Sequence, residues 1–327
     1  MKVVLRPHIQ ALRRKHKPAS RSLSQPFEDY PALARLGPPV RLIAGPTASG
    51  KSRLAIKLAR ELNGVIINAD ASQVYRDLEI LTARPTAVDL ICARHRLYGV
   101  ADGAEPWSVG LWLRAALTEI ETARADGRAA IVAGGTGLYM AALTRGLADI
   151  PQIPAGARAD AATLLDELGE LAFRARLAEQ DVQASERIAI GDRQRLVRAM
   201  EVLLGTGRSI SSWQAATRPA LAPTEWAAIV LEPARDELYR RCDMRVSRMI
   251  EAGVLAEVDA LIARRLDSDL PVMKAVGLRE FAAVVGGAAT LEQAAEAVSR
   301  ETRRYAKRQL TWLRNQAAHW PRLATMV

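Results

Sequence analysis

A glycine-rich loop at residues 45–52 has the residue types of a phosphate-binding site. It reads GPTASGKS and fits the pattern G-x-x-x-x-G-K-[ST]. In such loops successive backbone amides point at phosphate oxygens, the lysine (Lys51) adds a positive charge, and the hydroxyl of Ser52 can face a metal ion. The pattern is short, so a glycine-rich turn without a ligand is the alternative interpretation.

The sequence on both sides of the loop favours the phosphate site. Residues 39–44 (PVRLIA) form an apolar run of strand length, and residues 52–64 have apolar side chains at helical spacing with Gly64 at the end. A strand, the loop and a helix in this order place a helix N-terminus, which attracts anions, at the phosphates. The motif alone would suggest ATP as the source of those phosphates.

Asp70 is the carboxylate that its position singles out for chemistry. It ends the apolar run 64–70 (GVIINAD), and active sites of parallel sheets lie at the carboxyl ends of strands. A carboxylate there can accept a proton from an attacking nucleophile, although an aspartate that only caps the next turn is also common. An ATPase normally has a second acid at the end of another strand, whereas the run 129–133 ends in GGTG without a carboxylate.

The elements that must position these groups are those of an α/β fold with a P-loop. Apolar runs at 128–135 and 227–233 predict two more strands, 95–100 predicts a weaker one, and 107–127 predicts a helix. Strands that alternate with helices indicate a parallel sheet covered by helices on both faces. After residue 233 we expect only helices.

The strand pattern stops between two proline-rich stretches, and the sequence from one to the other is typical of helices. We therefore expect an all-helical insertion domain, residues 150–226, in a P-loop core whose two parts are residues 40–149 and 227–327. Because the insertion leaves and re-enters the same core, it is expected to lie over the site.

Basic residues are unevenly distributed in this chain, whose formal net charge is +10. Residues 1–39 contain eight Lys or Arg and two acids, and they predict a disordered extension: a basic arm, a targeting segment or an upstream artefact of the start site. Further basic clusters at 187–198, 235–248 and 300–314 favour a polyanionic partner, although each alone would be a solvated helix face.

Composition excludes several other classes. Two cysteines without a C-x-x-C pattern indicate a reducing compartment, and the four histidines have no metal-ligand spacing. No apolar stretch approaches the roughly 18 residues of a membrane helix. We expect a soluble, cytoplasmic protein that does not enter a membrane.

Six separated blocks of sequence are similar to those of tRNA dimethylallyltransferases, in type and order. The blocks are GPTASGKS (45–52), DASQVYRDLEILTARP (70–85), AGGTGLY (133–139), DRQRLVRAMEV (192–202), KAVGLREF (274–281) and AKRQLTWLRN (306–315). The resemblance covers residues 40–320. It implies that the loop holds the pyrophosphate of dimethylallyl diphosphate rather than ATP. It also implies transfer of the dimethylallyl group to N6 of the adenosine immediately 3′ of the tRNA anticodon.

The resemblance further implies roles for individual residues. Asp70 takes the N6 proton, Thr136 contacts the acceptor, and Lys51 and Arg245 neutralise the leaving pyrophosphate, with Mg²⁺ near Ser52. The diphosphate contacts implied are Gly45, Pro46, Thr47, Ala48, Ser49, Gly50, Lys51 and Ser52. The contacts implied for the tRNA anticodon arm are Asp70, Ala71, Ser72, Gln73, Thr136, Arg158, Gln194, Arg195, Leu196, Val197, Arg198, Lys274 and Gly277.

The chain departs from the family pattern in two places. Ala71 stands where Ser is more frequent, and ILTARP (80–85) stands where Ile-Gly-Thr-Ala-Lys-Pro is frequent, so that Leu81 replaces a glycine and Arg84 keeps the charge of a lysine. Eukaryotic members carry a C-terminal zinc finger, and the lack of such a ligand cluster implies the bacterial type. We expect a monomer.

Three alternatives stay open on the sequence. An ATP-dependent small-molecule kinase would use the same loop, but would not need a basic helical insertion. A free adenine-nucleotide prenyltransferase would share the chemistry and differ only in its acceptor. A phosphate-gated RNA-binding protein would bind tRNA and form no product.

Overall fold

The computed structural model describes residues 39–324. The predicted disorder of the basic extension therefore concerns residues that, apart from Pro39, lie outside the described part of the chain. Among the residues that are described, no helix is both long and apolar enough to cross a membrane.

One sheet of six parallel strands, in the order β3-β2-β4-β1-β5-β6, forms the centre of the fold. Its strands are β1 (Val40–Ala44), β2 (Val65–Asn68), β3 (Arg94–Arg96), β4 (Ala130–Gly134), β5 (Trp226–Leu231) and β6 (Arg322–Leu323). Every residue of β1, β2 and β4 is buried, as expected for strands covered on both faces, which is why their sequences are continuous apolar runs.

Twelve α-helices accompany the sheet in the described chain. They are α1 (Lys51–Glu61), α2 (Ala87–Cys92), α3 (Val109–Ala125), α4 (Gly137–Arg145), α5 (Gly156–Ala178), α6 (Val182–Arg187), α7 (Arg193–Thr206), α8 (Ile210–Ala215), α9 (Arg235–Glu251), α10 (Val254–Ala263), α11 (Leu278–Val285) and α12 (Leu291–Gln316), with a 3₁₀ turn at Pro271–Lys274.

The strand register brings three loops to one edge of the sheet. Ala44, the last residue of β1, lies between Gly134 of β4 and Val230 of β5, and β4 in turn pairs with the end of β2. The phosphate loop, the GGTG loop and Asp70 follow these strand ends directly, so they meet at the carboxyl edge, where parallel sheets bind ligands.

A buried aromatic pair connects the helix layer to this edge. The rings of Trp112 on α3 and Tyr139 on α4 are stacked with centroids 4.1 Å apart, and Trp112 Nε1 donates a hydrogen bond of 2.7 Å to the carbonyl of Asn68 at the end of β2. Trp112 is wholly buried, so the strand end that precedes Asp70 is packed and hydrogen-bonded from the helix side.

Helices α5 to α8 have a hydrophobic cluster of their own. Phe173, Leu177 and Leu196 are fully buried in this cluster, which is separate from the large cluster around the sheet. Gly169 interrupts α5 with φ 69°, a backbone conformation that favours glycine. The helical content of this segment agrees with the sequence; its independence as a domain stays a prediction.

The α/β fold class is confirmed, with differences at the margins. The prediction that only helices follow residue 233 is wrong, because β6 pairs with the end of β5; two residues are too few to show a strand period. The predicted strand at 95–100 is shorter and lies at Arg94–Arg96. The short helix α2 was not predicted; it begins at a capping box of Thr86 and Asp89.

Replacing Phe173 with alanine tests whether the insertion folds as a unit. The change empties a fully buried site and should cost about 3–5 kcal/mol of local stability. In hydrogen-exchange mass spectrometry, amides of α5 to α8 should lose protection while those of β1, β2 and β4 keep it. Phe281→Ala, in the core of the sheet layer, is the matched control and should expose the sheet. Equal loss of protection throughout the Phe173→Ala protein would show that the insertion is not an independent unit.

Candidate active site

The loop between β1 and α1 has the backbone geometry of an anion-binding site. Ala48 and Gly50 adopt left-handed conformations, with φ 61° and 95°, and such residues in a tight loop turn successive amides towards one point. Lys51 Nζ donates to the carbonyl of Pro46 at 2.6 Å, so the ammonium lies over the loop. The first turn of α1 has no acidic residue, which leaves its N-terminal dipole available to an anion.

Gln309 on α12 ties this loop to the loop after β4. Its Oε1 accepts a hydrogen bond from the Thr47 amide at 2.8 Å, and its Nε2 donates to the carbonyl of Gly135 at 3.0 Å. The side chain is only 6% exposed. A buried carboxamide that uses both of its ends has one orientation, so Gln309 fixes the distance between the two loops.

Asp70 lies in a turn that hydrogen bonds hold on both sides. Its amide donates to Asn68 Oδ1 at 2.8 Å, and Asn68 Nδ2 donates to the carbonyls of Asp70 and Leu97, each at 3.0 Å. Asp70 Oδ1 accepts from the amide and hydroxyl of Ser72 at 3.0 and 2.7 Å. Asp70 therefore does cap the turn that follows it, and it does so through Oδ1. Within residues 39–324 no hydrogen bond is made to Oδ2, which is therefore the oxygen that can accept a proton.

Thr136 joins the GGTG loop to the Asp70 turn. Its Oγ1 accepts from the Ala71 amide at 2.9 Å, and its own amide donates to the carbonyl of Ala69 at 3.1 Å. A hydroxyl that accepts one bond keeps its proton for a second partner. The contact needs glycine nearby, because a Cβ on Gly134 would lie 2.0 Å from the Ala69 carbonyl oxygen.

Arg245 on α9 is held in the site by a neutral backbone carbonyl. Its Nη2 donates to the carbonyl of Thr82 at 2.6 Å, and the same carbonyl accepts from Gln73 Nε2 at 2.8 Å. None of the carboxylates in the described chain forms an ion pair with Arg245. Its positive charge is therefore not neutralised by a direct ion pair.

Glu257 on α10 positions the segment that holds Arg245. Its carboxylate accepts three backbone hydrogen bonds, from Glu79, Ile80 and Leu81, at 2.6, 2.7 and 2.8 Å. A carboxylate that accepts hydrogen bonds from several backbone amides is bound strongly to that segment of backbone. The carbonyl of Thr82, one residue further on, is thereby fixed where Arg245 meets it.

One cavity of about 210 Å³ lies where these parts converge. It is smaller than typical small-molecule sites, which enclose roughly 300–1,000 Å³. Thr47 represents the phosphate loop in its lining, whereas Lys51, Ser52 and Thr136 are not part of it. The lining residues are Thr47, Asp70, Ala71, Ser72, Tyr75, Leu81, Thr82, Trp107, Arg245, Met249, Pro271, Lys274, Ala275, Val276, Val298, Thr302 and Tyr305.

Burial disfavours the charged forms of Lys51 and Arg245. It lowers the pKa of Lys51 to about 8, while the charge of Asp70 opposes the shift and that of Arg245 adds to it. Burial also lowers the pKa of Arg245, again against the attraction of Asp70. The buried thiol of Cys242 has its pKa raised to about 11, mainly by burial, and does not supply a compensating charge. An anion that entered the site would stabilise both cations.

The surroundings of Ser52 are compatible with a magnesium ion that is held mainly by phosphate. Among residues 39–324, no group of three His, Cys, Asp or Glu side chains could hold a metal. Magnesium needs few protein ligands when phosphate oxygens and water complete its octahedron. Ser52 is exposed in the first turn of α1, beside the phosphate loop, so its hydroxyl fits the part of one such ligand.

The structure places the predicted RNA contacts in two regions. One group lines the cavity: Asp70, Ala71, Ser72 and Lys274. The other group is exposed on α5 and α7 of the insertion: Arg158, Gln194, Arg195 and Arg198. The arginines at 195 and 198 form ion pairs with Asp192 and Glu201 at 2.7 and 2.8 Å. Exposed pairs of this kind are weak, so both arginines can exchange their partners for phosphates.

Four residues that the sequence predicts to contact RNA are engaged in contacts inside the protein. The side chains of Leu196 and Val197 are 0% and 8% exposed and belong to the insertion core, so the RNA contacts at these two positions stay a prediction that the buried side chains do not supply. Gly277 is buried with φ 91° at the start of α11. Gln73 is hydrogen-bonded to the carbonyls of Thr82 and Ala83.

Sequence reasoning missed the residues that hold the site together, Gln309, Glu257 and Asn68. A signal existed for Gln309, because it lies among the buried positions of α12 with Thr302, Ala306 and Leu313. A polar side chain at an apolar helical position indicates a buried hydrogen-bonding role. Glu257 gives no comparable signal.

Comparison with known proteins decides the family. The sequence model of IPP transferases matches residues 73–316, and that of isopentenyl transferases matches residues 38–103. This chain belongs to the IPP transferase family. The resemblance found in the sequence is therefore confirmed.

Relatives in the family are similar over most of their length. The tRNA dimethylallyltransferase of Phenylobacterium zucineum (strain HLK1) is 55% identical over 286 residues, which are 88% of this chain and 92% of that protein. The tRNA dimethylallyltransferase of Caulobacter sp. (strain K31) is 52% identical, over 87% of this chain and 92% of that protein.

Solved structures in the family share the fold. The tRNA isopentenylpyrophosphate transferase of Bacillus halodurans is 32% identical, with a TM-score of 0.61 over 87% of this chain and 89% of that one. A eukaryotic dimethylallyltransferase described as acting on tRNA is 27% identical, with a TM-score of 0.73 over 84% of this chain and 69% of that one.

Gln309→Leu should weaken the binding of inorganic pyrophosphate with little change in side-chain volume. The leucine leaves the Thr47 amide and the Gly135 carbonyl without their partner, so the loop loses the contact that fixes its shape and pyrophosphate must order it on binding. If that ordering costs about 1.4 kcal/mol, affinity falls roughly tenfold in calorimetric titration. Gln316→Leu, the same change on the exposed face of the same helix, should have no effect. If the two variants bind pyrophosphate alike, Gln309 does not position the loop.

Pyrophosphate binding in metal-free buffer should weaken as the pH rises through the pKa of Lys51, about 8. The ammonium predominates below that pH and the neutral amine above it, and only the ammonium attracts the anion. Between about pH 7 and pH 9 the affinity should fall about tenfold. Lys51→Arg stays charged over this range and controls for the ionisation of pyrophosphate itself. Parallel pH profiles of the two proteins would exclude titration of Lys51 as the cause.

Proposed function

We propose that this protein transfers the dimethylallyl group of dimethylallyl diphosphate to N6 of the adenosine immediately 3′ of the tRNA anticodon, with release of diphosphate. The observation that carries the proposal is the single cavity that Thr47 of the phosphate loop, the carboxylate of Asp70 and the guanidinium of Arg245 line together. Phosphate recognition and proton acceptance thus lie within the reach of one small substrate. The names of the relatives support the same reaction.

At the phosphate end the protein stabilises charge that builds up during transfer. The C1–O bond of the allylic substrate breaks, its electron pair leaves with the diphosphate, and the negative charge on the bridging oxygen grows. Lys51 and Arg245, which lack carboxylate ion pairs in the described structure, are half-buried cations that can meet this charge. Fixed charges of this kind are more effective in such a site than in solvent.

At the acceptor end the nucleophile is the exocyclic amine of adenine, which is weakly basic. Its nitrogen forms the new bond to C1 as one of its protons passes to Asp70, whose Oδ2 makes no hydrogen bond in the described chain while Oδ1 is held by Ser72. Proton removal by a positioned base typically contributes about 10²- to 10⁴-fold in rate. Thr136, whose hydroxyl proton remains available, is placed beside this carboxylate by its bond to Ala71.

Magnesium is the proposed cofactor, with the Ser52 hydroxyl as a protein ligand; when bound, it would neutralise part of the diphosphate charge. We further propose that the exposed side chains of α5 and α7, namely Arg158, Gln194, Arg195 and Arg198, contact the anticodon arm. We propose a cytoplasmic monomer as the form in which the protein acts.

The kinase alternative is less well supported than prenyl transfer. A second acid for a nucleotide-bound metal is lacking after β4, where the loop reads GGTG, and the relatives are named as transferases of dimethylallyl groups to tRNA. Transfer to free AMP or ATP would use the same donor site and is separated from the proposal only by the acceptor.

Labelled dimethylallyl diphosphate and labelled ATP, each incubated with the protein, magnesium and an anticodon stem–loop RNA, test the reaction. Label should pass to the RNA from dimethylallyl diphosphate and not from ATP. AMP should not serve as an acceptor in place of the RNA. Asp70→Asn should lower the single-turnover rate by about 10²- to 10⁴-fold with little change in RNA affinity, because the carboxylate acts in the transition state. Asp126→Asn, at the opposite edge of the sheet, is the control. A rate above half of the unsubstituted one in Asp70→Asn would remove Asp70 from the mechanism.

A further inference from the structure

The active-site cavity has an aliphatic side that takes no part in phosphate binding or proton transfer. Four lining residues from separate segments of the chain form it: Leu81, Met249, Val276 and Val298. We call these four side chains the aliphatic wall. They carry no hydrogen-bonding groups, so what they favour in a ligand is apolar surface. The wall is therefore suited to a hydrocarbon.

The aliphatic wall begins beside a cation of the phosphate end. Thr82, the residue after Leu81, holds Arg245 through its carbonyl at 2.6 Å. Met249 follows Arg245 by four residues on α9, and side chains at this spacing are neighbours on one face of a helix. A diphosphate that meets Arg245 therefore has its apolar chain next to this wall.

The apolar surface at the acceptor end of the cavity is aromatic instead. Tyr75 lies five residues after Asp70, and its hydroxyl accepts a hydrogen bond from the Trp107 amide at 3.2 Å. Tyr75 and Trp107 both line the cavity together with Asp70. Flat rings suit the planar base whose proton Asp70 accepts. The aliphatic wall is thus left to the prenyl chain of the donor.

Leu81 is held in place within the aliphatic wall. Its amide donates to Glu257 Oε1 at 2.8 Å, and the residue is only 3% exposed. A Cβ on Gly277 would lie 3.2 Å from Leu81 Cδ1 and 3.0 Å from Val298 Cγ1, so both side chains pack closely on that bare backbone. Gly277 itself is not among the lining residues of the cavity. Since its backbone is bonded and Gly277 lies against its side chain, Leu81 has little room to move aside for a longer ligand.

We propose that Leu81 is a specificity-determining residue, which limits the prenyl chain of the donor to a single isoprene unit. This inference rests on the proposed function, because it takes the donor to be an allylic diphosphate. Removing a leucine side chain from a packed site leaves a dry cavity on the order of 150 Å³, which holds benzene. A further isoprene unit is of similar size. The Leu81 side chain therefore occupies the space that the second unit of geranyl diphosphate would need.

The chemistry at C1 is the same for dimethylallyl and geranyl diphosphate. In both, the C1–O bond breaks and its electron pair leaves with the diphosphate, while N6 of the adenosine bonds to C1 and its proton passes to Asp70. The two donors differ only in the chain beyond the reacting atoms. Discrimination between them must therefore come from the space around that chain.

Leu81→Ala tests the limit through a ratio of two donors. The kcat/KM for geranyl diphosphate is divided by that for dimethylallyl diphosphate, with magnesium and an anticodon stem–loop RNA as acceptor. Both values come from one preparation, so the folded fraction of the protein cancels. The ratio should rise by about 10- to 200-fold, the range that a single methylene group spans in an apolar pocket. The same ratio in Leu81→Ala and in the unsubstituted protein would overturn the proposal.

Leu78→Ala is the matched control, because Leu78 is wholly buried in the same segment and does not line the cavity. Its ratio should equal that of the unsubstituted protein, and an equal rise in both variants would overturn the role of Leu81. Calorimetric titration with each diphosphate in the absence of RNA measures binding without transfer. If the unsubstituted protein transfers no dimethylallyl group, the proposed function fails. The titration then decides the size limit separately: a gain in geranyl over dimethylallyl diphosphate affinity confined to Leu81→Ala supports it, and no gain overturns it.

Discussion

The carboxamide of Gln309 is the contact on which the geometry of the active site depends. It bonds the phosphate loop through Thr47 and the GGTG loop through Gly135, and these loops belong to the neighbouring strands β1 and β4. Thr136 then extends the connection to the turn that carries Asp70. A single chain of hydrogen bonds therefore relates the phosphate end of the cavity to its acceptor end, and α12 sets both because it supplies Gln309.

The second constraint is electrostatic. Lys51 and Arg245 are held by the carbonyls of Pro46 and Thr82 rather than by carboxylates. Burial lowers the pKa of both groups, and the charge of Asp70 opposes the shift. The segment that presents Thr82 is fixed in turn by Glu257, whose carboxylate is used on backbone amides. Glu257 therefore holds a wall of the cavity and forms no ion pair with Arg245 in the described chain. We regard this arrangement as preparation for a substrate that brings its own negative charge.

The fold and the catalytic groups could be predicted because their signals are local. β1, β2 and β4 are buried on both faces and appear as continuous apolar runs, and the phosphate loop is a contiguous motif. The supporting contacts could not be predicted, since Gln309 lies 262 residues from Thr47 and Glu257 lies 176 residues from Leu81, and no local pattern encodes such pairs. The burial of Leu196 and Val197 has a related cause: a contiguous motif on a helix alternates between exposed and buried faces, and only side chains at the exposed positions can meet a ligand.

Mass spectrometry of nucleosides is the most direct test of the central claim that one cavity joins a prenyl diphosphate to an adenosine of tRNA. Unmodified tRNA would be incubated with the protein, magnesium and dimethylallyl diphosphate, digested, and compared with a sample lacking the donor. We expect adenosine that carries a dimethylallyl group on N6, located at the position immediately 3′ of the anticodon. Unmodified adenosine at that position, in a reaction where the protein binds both substrates, would contradict it.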